Sequence, residues 1–428
     1  MKANFLNNKE IKNAGWLIGA KVIQMVLSLI VGVLTARFLG PNNYGLINYG
    51  TAYVSFFTAL CTLGLNNVII KDFIDNPNQK GQAIGTCLVF RFFASALSIF
   101  LIFLISYFVD YGEFLTIVVV SLCSISLIFQ IVDIFNYYFQ SLYKSKITAI
   151  ATLAAYIIVS LYKIVLLALN KDVKWFAFAT SVDYLVLGVI LFLVYKFSNG
   201  PKLSFSFSKG KDLLKNSYHY ILSNMMVAIY AQTDKIMLKQ MLSETEVGFY
   251  SVATTICTMW TFILMAIIDS MYPTILNLHD KNKVAFEKKN KQLYALVFYI
   301  SIFVSLCFQI LSPTIIYILY GNSFMPAVDP LRVVTWYTAF SYLGVARNAW
   351  IVCEHNQKYL KWMYGGAAFI NVMLNFLLIP FFGAVGAALA SLITQVFTSI
   401  ILPFLIPPMR RNSILVIQAI ALKGVFVN

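Results

Sequence analysis

The chain has 428 residues, 60% of them hydrophobic and only 11% charged, with a mean hydropathy of +0.78. That balance excludes a soluble globular enzyme or binding module and fits a chain that lies in a bilayer along most of its length. The formal charge of +15 invites a nucleic-acid partner, but the distribution of the bases excludes that too.

Apolar runs of about 20 residues, long enough at ~1.5 Å per residue to cross a ~30 Å hydrocarbon core, recur along the chain. The start, MKANFLNNKEIKNAG, is basic and lacks a small-residue cleavage site, so the first span, 15–38, reads as a retained helix. Spans at 44–69, 83–108, 114–137, 147–169 and 174–196 follow. A hydrophilic stretch at 197–216, FSNGPKLSFSFSKGKDLLKN, precedes a second set at 217–241, 247–272, 292–316, 330–351, 359–381 and 384–406. The tail from 412, NSILVIQAIALKGVFVN, is apolar but too short for a further crossing and is expected to lie at the interface. The expectation is an all-α polytopic membrane protein of about twelve spans in two six-helix lobes around a central cleft. The N-terminal lobe covers 1–196, a cytoplasmic linker 197–216, the C-terminal lobe 217–411 and the tail 412–428.

With the N-terminus inside, 22 of the 32 Lys and Arg residues fall on the cytoplasmic side. The opposite side holds only Arg37, Lys171, Lys174 and Lys239. This bias places both termini in the cytoplasm and accounts for most of the positive charge as topology.

Sliding the chain by 203 residues sets LGPNNYGLINYGT (39–51) over LSETEVGFYSVAT (242–254) and matches Leu39 to Leu242, Gly45 to Gly248 and Thr51 to Thr254. Both copies run from inside to outside first, so the repeat is parallel, about an axis along the membrane normal.

Ten ionisable residues lie inside spans. Exposed to lipid at ~2.5–3.5 kcal/mol each, they would cost on the order of 25 kcal/mol, more than a domain's stability of about 5–15 kcal/mol. They must be paired, hydrated or snorkelling. Helical spacing sorts them onto polar stripes. Lys21, Gln24, Arg91, Gln130, Lys235 and Arg347 are the candidates for a cleft that receives an anion and hydroxyl-rich material, because Arg and Lys hold phosphate by charge-assisted hydrogen bonds. Asp133, Asp183, Asp234 and Asp269 are candidates for ion coupling or interhelical pairing, with Asp269, Lys163, Lys239 and Arg332 close enough to helix ends to snorkel. The six cysteines stand singly and the three histidines share no face with a second ligand, so no metal site and no catalytic residue is assigned.

Four stretches carry a family pattern. TARFLGPNNYGLINYG, TDKIMLKQMLSETEVGFYSVA, IDSMYPTI and NVMLNFLLIPFFGAVGAALAS occur in order along the chain. Together they resemble the Wzx-type polysaccharide flippases of the multidrug/oligosaccharidyl-lipid/polysaccharide exporter superfamily. The resemblance implies a transporter rather than an enzyme, working in the bacterial inner membrane by alternating access. It implies an undecaprenyl-diphosphate-linked oligosaccharide, for O-antigen, capsule or exopolysaccharide, as the substrate. A polysaccharide polymerase and chain-length regulator are implied partners, H+ or Na+ coupling is open, and nucleic acid has no part. A cation-coupled multidrug exporter of the same superfamily remains the alternative, with a membrane polymerase or ligase behind it.

Overall fold

The computed structural model describes residues 9–425 other than Tyr143, and leaves the side chains of residues 9–18, Ala20, Lys21, Asn67, Ser145 and Ser223 undescribed. The chain packs as two compact units, Met1–Ala228 and Ile229–Asn428. The first holds α1 (Lys9–Cys61), α2 (Asn66–Asp75), α3 (Lys80–Val109), α4 (Phe114–Ser124), α5 (Ser126–Phe129), α6 (Ile134–Ser141), α7 (Ser145–Ala168) and α8 (Val173–Phe197). The long helix α9 (Phe207–Met241) carries the division between the units. The second unit continues with α10 (Glu244–Met259), α11 (Phe262–His279), α12 (Lys283–Tyr320), α13 (Val328–Ala346), α14 (Asn348–Cys353), α15 (Leu360–Val396), α16 (Leu402–Leu405) and α17 (Arg410–Ile420). There is no strand among the described residues.

Eight of the described helical segments are long and apolar enough to cross a membrane, and the chain is a multi-pass membrane protein. Two of the eight, Val22–Cys61 with 40 residues and Gln357–Leu405 with 49, are far longer than one crossing requires. Each bends at a glycine outside helical geometry, Gly40 (φ 70°, ψ 173°) and Gly383 (φ 56°, ψ −133°). Each therefore accommodates two of the spans expected from hydropathy. A side chain would be strained at both positions, and Pro41 follows the first bend without a lost donor because helix starts leave the N–H unpaired.

The second bend has a partner. Ser243 caps α10 by accepting from the Glu246 amide at 3.4 Å, and the Glu246 carboxylate accepts from the Ala384 amide at 2.7 Å. One acid thus belongs to the first turn of one helix and satisfies an orphan donor at the restart of another.

The span expected at 114–137 is interrupted. It divides into α4, α5, a 3-10 turn at Gln130–Asp133 and α6, which frees carbonyls that α3 takes up. Ser95 donates to Leu127 O at 3.0 Å and Arg91 to Ile131 O at 3.5 Å.

Polar side chains turn inward and large apolar ones outward, as expected where the surrounding solvent is lipid. Thr86, Ser95, Asn290, Ser301, Ser305, Thr335, Asn371 and Asn375 are buried, while Phe93, Phe108, Phe303, Phe369 and Phe376 are exposed. The linker is laid over the start of α3. Ser204 N donates to Gly81 O at 3.3 Å and Ser206 N to Thr86 Oγ1 at 3.0 Å, and a Cβ at Gly81 or Gly85 would run into this strap. Residues 207–216 already belong to α9, anchored by Lys209 to Asp72 at 2.6 Å. At the other end, α17 buries Leu415, Val416 and Ala419 in the apolar core that includes Phe286, Leu293 and Val297 of α12. Asn412 Nδ2 donates to Tyr294 OH at 2.7 Å and Tyr299 OH to Ile420 O at 2.7 Å.

Candidate functional site: a polar pocket in each unit

In the second unit, α9 presents Asp234 and Lys235 to a pocket of about 340 Å³, lined also by Tyr230, Gln232, Tyr250, Thr254, Thr258 and Ser391. Asp234 is 3% exposed, and the groups that compensate it are neutral. Asn375 Nδ2 donates to Oδ1 at 2.6 Å, Ser391 Oγ donates to Oδ2 at 2.5 Å, and Tyr250 OH donates to Oδ2. The donors come from α10 and from both sides of the Gly383 bend in α15, so this carboxylate ties α9 to three other helical segments. Its sequence neighbour Lys235 lines the same pocket.

In the first unit, a pocket of about 350 Å³ lies among α1, α7 and α8, with Ser28, Thr35, Tyr44, Asn48, Thr51, Tyr156, Ser160, Lys163, Thr180 and Asp183 among its walls. Lys163 Nζ bonds Asp183 Oδ2 at 3.2 Å, both side chains about one quarter exposed. Hydropathy spacing alone left Lys163 free to snorkel. Here it reaches instead across to α8, because Lys163 faces inward one helix turn from the end of α7 and meets Asp183, the carboxylate that lines this wall among the described residues.

The two pockets obey the sequence repeat. Positions 28, 31, 32, 47 and 51 line the first, and positions 231, 234, 235, 250 and 254, each 203 residues later, line the second. The frame is repeated but the charge is not. Where the second unit has Asp234 and Lys235 on its first helix, the first unit has Val31 and Gly32, and it places its own Lys and Asp on α7 and α8.

The remaining candidates whose side chains are described line neither pocket. Arg91 is 1% exposed and donates to Asn66 Oδ1 at 3.1 Å and to Ile131 O. Arg347, between α13 and α14, donates to Thr398 O and Ser399 O at 3.4 Å, carbonyls of the π-helical stretch Phe397–Ile401. Both guanidiniums therefore serve irregular backbone. Gln130 accepts from Thr58 Oγ1 at 3.1 Å. Asp133 accepts from Tyr137 OH at 3.2 Å and from Asn136. Gln24 is half-buried on α1 and Asp269 exposed on α11. The Lys21 side chain lies outside the described residues.

Asn371, Asn375 and Ser391 fall in a stretch to which the sequence assigned no site residue, yet Asn375 and Ser391 bond Asp234 and Asn371 backs Asn375 at 3.1 Å. The clue was the Asn pair at i, i+4 in NVMLN, which puts two amides on one helix face. Asn375 Oδ1 is buried without a hydrogen-bond partner. Around Asp234 the Ser391 Oγ and Tyr250 OH oxygens stand with the carboxylate, donors of the kind that suit a hard cation of low charge. Among the described residues no group of three or more His, Cys, Asp or Glu could hold a metal.

Polar pockets inside apolar helical units define an integral membrane protein built to keep hydrophilic groups away from lipid. The chain belongs to the polysaccharide biosynthesis protein family, whose model matches residues 11–279. It is similar to "Capsular polysaccharide biosynthesis protein CapF" of Staphylococcus aureus, 20% identical over 404 residues that cover 90% of this chain and 96% of that one. It is also similar to the Escherichia coli (strain K12) "Putative O-antigen transporter", 22% identical over 401 residues, 91% of this chain and 94% of that one. Its fold matches the solved "Lipid II flippase MurJ, inward closed conformation" with a TM-score of 0.71 at 14% identity, covering 96% of this chain and 93% of that one.

Proposed function

We propose that this chain is a flippase, a transporter and not an enzyme, that moves lipid-linked oligosaccharide across the cytoplasmic membrane for surface polysaccharide assembly. Undecaprenyl diphosphate is the carrier and the lipid tail stays in the bilayer while the glycan crosses. The observation that carries the reading is the pocket of the first unit, where ten of fifteen lining residues are polar and the charges cancel. Hydroxyl, amide and paired charge suit a polyhydroxylated load. The family membership and the names of the two curated relatives support the same load.

The rival, a multidrug exporter for organic cations, calls for an uncompensated carboxylate. Asp183 is held by Lys163, and buried Asp234 already accepts bonds from Asn375, Ser391 and Tyr250, so neither stands bare for an organic cation.

Coupling is assigned to the second unit. Asp234, with Ser391 and Tyr250 beside it, would hold H+ or a monovalent cation such as Na+, supported by the burial of this carboxylate among neutral donors. Since α10 and α15 both converge on that carboxylate, filling or emptying the site changes how these spans are tied. A polymerase and a chain-length regulator would take the delivered units on the far side.

Deleting the gene in its own host tests the reading. Lipid-linked repeat units should accumulate and surface polysaccharide should fall, both restored by the wild-type chain. Normal surface polysaccharide in the deletion strain would overturn it.

A further inference from the structure

We infer that the pocket of the first unit is a subsite for one neutral saccharide ring, and that the Lys163–Asp183 pair is its recognition wall. The inference rests on the flippase reading and adds where, and by which groups, the glycan is held. Lys163 gives one bond to Asp183 Oδ2, which leaves Asp183 Oδ1 and two ammonium hydrogens available. Thr51 and Thr180 donate their hydrogens to Asn48 O at 3.0 Å and Ala177 O at 2.7 Å, leaving hydroxyl lone pairs as acceptors. Thr35 Oγ1 is buried with no partner at all. An ammonium, a half-free carboxylate and several hydroxyls make a wall of mixed donors and acceptors. Sugar hydroxyls, each both donor and acceptor, satisfy it at every point.

Charge and size narrow the ligand. The pair is neutral overall, so a diphosphate would meet the Asp183 carboxylate and an organic cation the Lys163 ammonium. A neutral ring meets neither penalty. At about 350 Å³ the space sits at the lower end of the ~300–1,000 Å³ usual for small-molecule sites, room for a single ring and not for a whole repeat unit. Phe176 and Tyr156 in the same wall supply apolar faces for the C–H side of a pyranose. The corresponding pocket of the second unit has its charges on α9, where three neutral donors already occupy the carboxylate. One repeated frame has thus been fitted for two different loads.

The probe is the host's own repeat-unit oligosaccharide, released from lipid by mild acid so that it carries no phosphate, titrated into the purified full-length chain in nanodiscs. Inorganic pyrophosphate is titrated in parallel. Binding of the free oligosaccharide should weaken at least tenfold in Asp183→Asn and in Thr51→Val, the second of which keeps the side-chain shape and the fold. Pyrophosphate should not compete for this binding. Oligosaccharide bound equally by wild type and both variants, or displaced by pyrophosphate, would overturn the subsite. So would failure of the wild-type chain to bind it. The flippase reading is scored separately: if the wild-type chain restores polysaccharide in the deletion strain yet the oligosaccharide fails these tests, the subsite alone is lost.

Discussion

Removing the Asp234 carboxylate should be the most damaging single truncation in the second unit, and its cost follows from the hydrogen bonds. Asp234→Ala takes the acceptor from Asn375 Nδ2 at 2.6 Å, Ser391 Oγ at 2.5 Å and Tyr250 OH. Charge-assisted bonds are worth about 1.5–3 kcal/mol each, so the gross loss is roughly 4.5–9 kcal/mol. Part is recovered. Tyr250 OH and Ser391 Oγ are 3.5 Å apart and can pair, and Asn375 already bonds Asn371 Oδ1 at 3.1 Å. A net loss of about 4 kcal/mol remains. Asp234→Asn keeps the volume. Its amide oxygen accepts from Asn375 and its amide hydrogens face hydroxyl oxygens that can rotate to accept, so it should cost only about 1–2 kcal/mol. Equilibrium unfolding in mixed micelles reads both numbers, and transport with and without the cation gradient reads coupling. The Asn variant should fold nearly normally and lose its response to the gradient. Equal destabilisation by Ala and Asn, or a wild-type response in Asn, would refute the reasoning.

Three further predictions bear on the frame. Gly383→Ala should destabilise by about 3–5 kcal/mol, combining ~1–3 kcal/mol of backbone strain with loss of the Glu246 bond to Ala384, because the new Cβ meets that carboxylate. Gly40→Ala has open space around it and should cost only the backbone share of about 1–3 kcal/mol; unfolding curves that rank the two equally would sink the argument. Arg91→Ala should cost about 2–4 kcal/mol by leaving Asn66 Oδ1 and Ile131 O unpaired in a buried site, visible as a lowered melting point in detergent before any transport is measured. Arg411→Ala should cost no more than about 1 kcal/mol, because its partner Glu287 faces a guanidinium that is half exposed; proteolysis of the tail at unchanged rate in this variant confirms that α17 is held mainly by Leu415, Val416 and Ala419.

Most of the spans were legible because lipid demands long apolar runs, although 217–241 and 330–351 are not among the eight described segments apolar enough to cross, and 247–272 runs over the break between α10 and α11. The bends at Gly40 and Gly383 fall in the gaps 38–44 and 381–384 between expected spans, where glycine permits the positive φ that each adopts. The break within 114–137 was not legible. Its cause is tertiary: the freed carbonyls of Leu127 and Ile131 are acceptable only because Ser95 and Arg91 of another helix reach them. The same holds for charge. Depth in a span marked Asp183, Asp234, Lys235 and Arg347 as groups that need company. Periodicity reports a helix face and not who stands opposite, so it could not pair Lys163 with Asp183 or bring Asn375 and Ser391, more than 140 residues away, to Asp234. Arg91 and Arg347, read as candidate anion ligands, lie against carbonyls of broken helices, a setting that periodicity does not report.

The most direct test of the central claim is a sidedness assay. The purified chain is reconstituted into liposomes that carry the host's lipid-linked repeat units, and an impermeant glycosidase or lectin added outside reports which glycans are exposed. In empty liposomes only the outer-leaflet share, about half, is reachable. The account predicts that the reachable share rises toward completion when the wild-type chain is present. A share unchanged from empty liposomes would contradict it.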